Sequence, residues 1–566
     1  MIQLEKKTLS NLVNRSLKLF KNEPSLSFVD EKPFTYMEMN TRINQLIVEL
    51  QKFDIQRGDR VAILGENCPN WGIAYLAITT MGAVAVPILP NFHESEVHHI
   101  IRSSGSKLLF CTRKLAYKAE EPDLGDLKTI IFLDQFDVKP FSYKTDFVHE
   151  ILERGARDLS KLRDAARSLI FSESETIEED DLAAIIYTSG TTGHSKGVML
   201  THKNIVSNII SLSQLVELAP GDRMLSILPL SHSYECSIGF LMPIACGAAI
   251  FYLHELPTAS NLLPALKKVK PTYMVSVPLI IEKIYKKRVL VEINNKALTR
   301  ALYRTRLGRK NLNKIAGKKL YKTFGGELKL IVFGGAALGA EVEKFMIEAG
   351  FPYACGYGLT ETAPLLTGSV DRVKFQSPGK PIPDVQIKIV DPDPVSGIGE
   401  IYARGPNVMK GYFNDPERSA EVLTADGWLK TGDRGYLDEE GYLFIKGRSK
   451  NLILGPSGEN IYPEEIEQRI NESEYALESL VYEKNRRIIA RVHLDYETLS
   501  LEFRAQKLNE TQIRQRIAHL LEDIKQHVNS SVNDFSRIHE VIEQPEPFEK
   551  TPTQKIKRYL YIESGM

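Results

Sequence analysis

Residues 187–198 read Tyr-Thr-Ser-Gly-Thr-Thr-Gly-His-Ser-Lys-Gly-Val, a set of side chains suited to holding phosphate. Thr188, Ser189, Thr191 and Thr192 bring hydroxyls, Gly190 and Gly193 remove Cβ atoms, and Lys196 adds a cation. Hydroxyls and main-chain N–H groups donate to phosphate oxygens, and glycines let the backbone curl around them. The apolar run 182–187 just ahead reads as a buried strand, so the loop leaves the end of a sheet. A Walker A loop needs Gly-Lys followed by Ser or Thr. Here Lys196 stands between Ser195 and Gly197, which argues against a P-loop kinase or ATPase.

Other blocks are as dense in chemistry. Gly334-Gly335-Ala336-Ala337 is a small-residue turn after an apolar run. Gly356-Tyr357-Gly358-Leu359-Thr360-Glu361-Thr362 offers a ring to stack on a base, a hydroxyl for a phosphate and a carboxylate for Mg²⁺. Trp428-Leu429-Lys430-Thr431-Gly432-Asp433 ends in an acid able to grip a ribose diol, and 441–450 is a strand running into the basic turn Arg448-Ser449-Lys450. Lys555 sits in a polar loop near the C-terminus. His232, in Leu-Pro-Leu-Ser-His-Ser-Tyr-Glu, is either a satisfied buried imidazole or a site residue.

These groups are scattered, so the fold must gather them. At 566 residues the chain exceeds what one core usually serves, and 43% apolar with 25% charged content is that of an ordinary globular protein. Apolar runs at 61–64, 83–88, 108–111, 129–133, 183–187, 224–228, 248–252, 273–277 and 328–333 read as strands. Amphipathic stretches such as 36–53 and 202–218 lie between them, an alternation that predicts α/β architecture with largely parallel sheets. The uncharged stretch 68–91 predicts a buried helix and a core strand in preference to a membrane span. Past 380, short strands at 385–390, 399–403 and 442–445 between Gly, Pro and Asp turns suggest a small antiparallel or barrel-like part. A last segment ends in a helix over 510–528, with apolar residues at helical spacing.

Formal net charge is zero, which argues against wholesale nucleic-acid binding. The five cysteines, Cys68, Cys111, Cys236, Cys246 and Cys355, show no metal-ligand spacing and imply free thiols in a reducing, cytoplasmic setting. No cleavable signal is visible in the first twenty residues. Charge is uneven: 283–329 holds fifteen Lys or Arg against Glu292 and Glu327, a local net of +13. Such a stretch is a solvated helical face, a dock for anionic lipid on the inner face of a membrane, or a dock for a phosphorylated cosubstrate.

In this order and spacing the blocks resemble the adenylate-forming (AMP-binding) superfamily over about residues 8–560, and within it the long-chain fatty acid–CoA ligases. The latter likeness is carried by 228–235, 277–285, the basic segment and 457–467. The resemblance implies an N-terminal domain over 1–449, made of two α/β subdomains and the barrel-like part. It also implies a small mobile α+β domain over 450–566, turning on a hinge at Lys450. It implies activation of a fatty acid by ATP through an acyl-adenylate, with coenzyme A as acceptor or, alternatively, acyl carrier protein. Residues 188–196 would hold the β- and γ-phosphates, Glu361 and Thr188 Mg²⁺, and Thr360 the α-phosphate. Gly334, Gly335, Ala336, Ala337 and Tyr357 would frame adenine, with Gly358 among the nucleotide-binding residues, while Asp433 and Arg448 take the ribose. Lys555 would bridge carboxylate and phosphate, and His232 would stand at the mouth of an acyl pocket walled by 273–281 and the helix after Glu235. Two positions depart from the family pattern: Ser195 stands where Pro is usual, and Gln554 where Gly is usual.

Overall fold

The computed structural model describes residues 2–121, 123–138, 177–188, 195–455, 459–551 and 555–562. Two eight-stranded sheets form the larger part. One runs in the order Leu26–Phe28, Ala249–Tyr252, Arg223–Ser226, Tyr273–Ser276, Leu330–Phe333, Tyr353–Gly358, Leu365–Gly368 and Lys380–Pro381. Its first six strands are parallel and its last two antiparallel. In the other, Leu182–Thr188, Val84–Ile88, Arg60–Leu64, Leu108–Cys111 and Thr129–Phe132 are parallel. Every residue of Val84–Ile88 and Leu108–Cys111 is buried, as strands covered on both faces require.

Connecting helices form where the sequence supplies caps and an apolar stripe. Thr35 and Glu38 make a capping box for Tyr36–Lys52, and Thr201 with Asn204 does the same for His202–Leu215. The uncharged stretch becomes the buried helix Pro69–Thr80 followed by the strand Val84–Ile88. Among the described residues no helix is long and apolar enough to cross a membrane. One apolar cluster joins residues of both sheets, among them Ile63, Leu108, Ile250 and Val275, with Trp71, Ile205 and Phe240 of the helices.

The small antiparallel part is a four-stranded sheet in the order Gln386–Val390, Gly399–Arg404, Leu429–Leu437 and Leu443–Arg448. Beyond it lies a smaller α+β part with its own cluster, including Ile466, Val481, Val492, Leu520, Ile524 and Val528. Its sheet pairs Ala476–Lys484 with Arg487–Leu494, and Glu540–Glu543 joins in parallel. That hairpin escapes the sequence reading because its two-residue turn, Asn485-Arg486, takes positive φ at both positions without a glycine.

A buried acid marks the interior of the larger part. Glu235 opens a π-helical turn, Glu235–Leu241, and is fully buried. Its Oε1 accepts from Ser226 Oγ at 2.6 Å, while Oε2 is buried with no partner among the described residues. A Cβ on Gly239 would sit 2.6 Å from this carboxyl, so glycine leaves the space that the acid fills. Burial, opposed only by the Ser226 bond, pushes its pKa up to about 8. The folded chain therefore keeps a proton that the unfolded chain releases near 4.5. Stability from this group is fully present below pH 4.5, falls as pH rises toward about 8 and is level above it. Glu235→Gln should remove up to about 1.4 kcal/mol per pH unit of that slope, seen in urea unfolding across the window. Identical pH dependence in parent and variant would count against a neutral Glu235.

Candidate active site

The core of the site is a carboxylate gripped from two sides. Asp433 in the strand Leu429–Leu437 and Arg448 at the end of Leu443–Arg448 are cross-strand partners, and Arg448 Nε lies 2.8 Å from Asp433 Oδ1. Tyr357, near the end of Tyr353–Gly358 in the first large sheet, donates its phenolic proton to Asp433 Oδ2 at 2.6 Å. Asp433 is only 5% exposed. Burial raises its pKa, against the opposing pull of Arg448, the Tyr357 bond and the Lys555 charge. Tyr357 reaches this position because the chain folds back sharply after it. A Cβ on Gly358 would fall 1.8 Å from the Pro364 carbonyl oxygen, so the turn closes only with glycine.

A second knot lies at the edge of the other large sheet. Thr188 and Lys196 are the last pair of the antiparallel hairpin Leu182–Thr188 and Lys196–Thr201. The strand Gly411–Tyr412 pairs with Lys196–Thr201, at Met199 and Val198. Lys196 Nζ lies 3.1 Å from Glu361 Oε1, Tyr412 donates to the same oxygen at 3.0 Å, and the ammonium also donates to the Tyr412 hydroxyl. Burial pushes the Glu361 pKa up, but the Lys196 charge, a main-chain N–H and these bonds outweigh it. The pKa ends lowered, and Glu361 is a carboxylate. Thr188 Oγ1 and Ser195 Oγ are buried with no hydrogen-bond partner among the described residues.

Cations close over these carboxylates. Lys555 is exposed to the cleft, yet its ammonium is crowded by protein. Desolvation, then Arg448, lowers its pKa, while Asp433 and Glu361 act the other way. Lys450, in the turn Ser449–Asn451, is lowered by desolvation, Arg448 and Lys555. His232 Nδ1 accepts from the Tyr234 N–H at 3.2 Å, so the neutral ring carries its proton on Nε2. Burial, then the Lys555 charge, lowers its pKa to about 4, so the ring is neutral at pH 7. Gly334, Gly335 and Ala336 follow the strand Leu330–Phe333, with the Tyr234 ring beside Gly334 and its hydroxyl donating to the Val332 carbonyl at 2.9 Å.

The structure brings together every assigned residue that it describes. Thr188, Lys196, His232, Gly334, Gly335, Ala336, Tyr357, Gly358, Thr360, Glu361, Asp433, Arg448, Lys450 and Lys555 all face one cleft. Ser189, Gly190, Thr191, Thr192 and Gly193 lie outside the described residues, as does Gln554. Tyr412, Tyr234 and Lys286 also face the cleft without having been assigned to it, Tyr234 and Lys286 although they lie in segments the sequence singles out, 228–235 and 283–329. Among the described residues no three His, Cys, Asp or Glu side chains cluster as a metal cage. Behind Cys355, Gly356 and Leu365, which border both spaces, lies an apolar cavity. Tyr273, Met274 and Val275 line it, with Ile238 and Met242 from the turn after Glu235 and the helix that continues it, whereas Val277, Pro278 and Leu279 of the expected wall 273–281 face the larger cleft.

Comparison with known proteins agrees with this arrangement. The chain is 30% identical to a long-chain-fatty-acid–CoA ligase of Bacillus subtilis, over 85% of this chain and 83% of that one. It is 27% identical to the chloroplastic long-chain-fatty-acid–[acyl-carrier-protein] ligase AEE15 of Arabidopsis thaliana, over 93% and 81%. The crystal structure of the ATP-bound RpMatB-BxBclM chimera B1 superposes with a TM-score of 0.74 at 25% identity, covering 98% of each chain. The model of the AMP-binding enzyme family matches residues 13–413. With most of its length matched and its dispersed motifs gathered in one cleft, the chain belongs to the AMP-binding enzyme family.

Proposed function

We propose that this protein activates a long-chain fatty acid with ATP and passes the acyl group to coenzyme A, releasing pyrophosphate and AMP. The observation that carries this is the single cleft in which Lys555, His232, Glu361 and Asp433 meet beside an apolar cavity. A carboxylate is a poor electrophile, and joining it to AMP supplies a good leaving group. In the first step a carboxylate oxygen attacks the α-phosphorus, the bond to pyrophosphate breaks, and negative charge grows on the phosphate oxygens. Fixed cations and donors stabilise such charge. Lys555 bridges the attacking carboxylate and the α-phosphate, with Thr360 beside it. Lys196 and the loop 188–196 hold the outer phosphates. Asp433, kept in place by Tyr357 and Arg448, accepts from the ribose hydroxyls, and Gly334, Gly335, Ala336, Ala337 and Tyr357 frame the base. The neutral His232 offers Nε2–H to the substrate carboxyl.

Glu361 and Thr188 fit a magnesium ion, since one is a carboxylate and the other has a buried hydroxyl without a protein partner among the described residues. Few protein ligands suit Mg²⁺, which draws the rest from water and phosphate. Bound there, it would neutralise phosphate charge. In the second step the thiol attacks the acyl carbon and AMP leaves. One lysine cannot stand where the thiol must enter, so the part after Lys450 turns about that residue between steps, dividing the chain into 1–449 and 450–566. The apolar lining supports a fatty tail, each buried CH₂ adding about 0.8 kcal/mol. The names of the relatives support long chains, and the plant relative makes acyl carrier protein the alternative acceptor.

Lys555→Ala should lose adenylate formation by at least about a hundredfold while thioester formation from supplied acyl-adenylate persists. Equal loss of both half-reactions in single-turnover assays would remove that role. Pyrophosphate release should rise with chain length over a graded fatty acid series, and AMP release should require coenzyme A. Turnover with acyl carrier protein alone would transfer the assignment to the alternative acceptor.

The basic segment supports peripheral contact with an anionic bilayer. Helix Ala297–Tyr303 has no buried residue, and Leu298 and Leu307 are 72% and 78% exposed among the exposed cations Arg300, Arg304, Arg306, Lys310, Lys314 and Lys318. Cations with interspersed leucines suit a headgroup layer. The protein should sediment with vesicles containing anionic lipid and be released by salt. Equal binding to neutral vesicles would overturn the assignment.

A further inference from the structure

Lys286 lies in a π-helical stretch, Tyr285–Leu290, at the start of the basic segment. Its ammonium reaches across the cleft to the C-terminal part. It donates to the main-chain carbonyls of Asn471 at 2.8 Å, Ser473 at 3.0 Å and Ala476 at 3.1 Å. Those oxygens belong to the end of helix Pro463–Asn471, the turn after it and the first residue of the strand Ala476–Lys484. Terminal carbonyls lack intrahelical partners and carry the negative end of the helix dipole, so a cation is a fitting cap. An ammonium has three donors, and all three are used here. Desolvation lowers the pKa of Lys286, with Glu282, Asp495 and Glu474 acting against it.

Among the described residues other side chains also link the two parts, Lys446 meeting Glu465 at 2.6 Å close to the Lys450 turn. Lys287 meets Glu497 at 2.7 Å, but both are largely exposed, and such pairs contribute little. Gln468 donates to Gln376 at 2.6 Å. Gln468 lies on the helix that Lys286 caps, and the Lys286 cap is distinguished by its three part-buried charge-assisted bonds. From the capped helix, Glu467 accepts from the Val481 N–H at 2.7 Å and pairs with Arg558. Arg558 lies three residues beyond Lys555, and the Thr551 N–H donates to the Lys555 carbonyl at 2.7 Å. A continuous line of contacts thus runs from Lys286 through helix Pro463–Asn471, Glu467 and Arg558 to the segment that presents Lys555 to Asp433 and Glu361.

We propose that Lys286 is a positioning residue for the first half-reaction: by capping this helix it holds the C-terminal part where Lys555 enters the cleft. The assignment rests on the role given to Lys555 above. A contact made in one arrangement and absent from another biases the two populations by its own free energy. Removing the cap therefore depopulates the adenylating arrangement and leaves the thioester-forming one untouched or favoured.

Lys286→Met keeps the aliphatic stem and removes the donors. Single-turnover pyrophosphate release measures the first step, and thioester formation from supplied acyl-adenylate measures the second. In Lys286→Met the first step should slow by about tenfold or more, while the second is unchanged or faster. Lys287→Met, which deletes the neighbouring charge without touching the cap, should leave both within about twofold. Lys286→Arg keeps a cation and should recover part of the first step, which also serves if the methionine variant folds poorly. Equal slowing of both steps, or an unaffected first step, overturns the proposal while the ligase reading stands. A wild-type protein that releases no pyrophosphate with any fatty acid sinks the ligase reading and this proposal together.

Discussion

Asp433 is the joint on which the site depends. Its two oxygens are taken by a tyrosine from the first large sheet and an arginine from the small antiparallel sheet, and Lys555 acts on it electrostatically from the C-terminal part. A buried carboxylate is costly to desolvate, and this one is tolerated because both oxygens accept from donors held on rigid strands. Only the Tyr357 bond joins the two sheets, since Asp433 and Arg448 lie on neighbouring strands of the small one. Loss of either donor would leave an uncompensated charge and loosen the cleft.

Around that joint the cations repel one another. Arg448 and Lys555 both depress the pKa of Lys450, and Arg448 depresses that of Lys555. A polyanion would relieve such crowding, in keeping with the phosphate-binding role proposed above. The second knot, Lys196 with Glu361 and Tyr412, is better balanced, since one carboxylate receives both donors. The two knots flank the strand end at Tyr357–Glu361 (357–361), so groups from three sheets act on one short segment. His232 stays neutral in this field because burial and the nearby lysine both disfavour its cation.

The C-terminal part is built to stand by itself, with its own apolar cluster, yet it is tied back through few polar links. Few links suit the turning about Lys450 proposed above, because each would have to break when that part moves. Lys286 is the most fully bonded of them, and it comes from the segment whose charge was the most uneven feature of the composition. Part of that charge therefore serves a local structural purpose, while the helices 297–323 leave leucines and cations facing outward.

By itself, the amino-acid order determined the alternation of strands and helices and the chemical character of each motif. Those depend on neighbours a few residues apart: an apolar run such as 108–111 is a buried strand wherever it lies, and Thr35 with Glu38 caps a helix without outside help. Tertiary structure alone decided that Tyr412 completes the Lys196–Glu361 pair, that Lys286 caps a helix nearly two hundred residues away, and that Glu235 is held neutral. Burial and distance set those properties, and both come from elements far apart in the chain. A tyrosine beside a glycine, or a lysine in a basic run, has the same local sequence whether it faces water or closes a site.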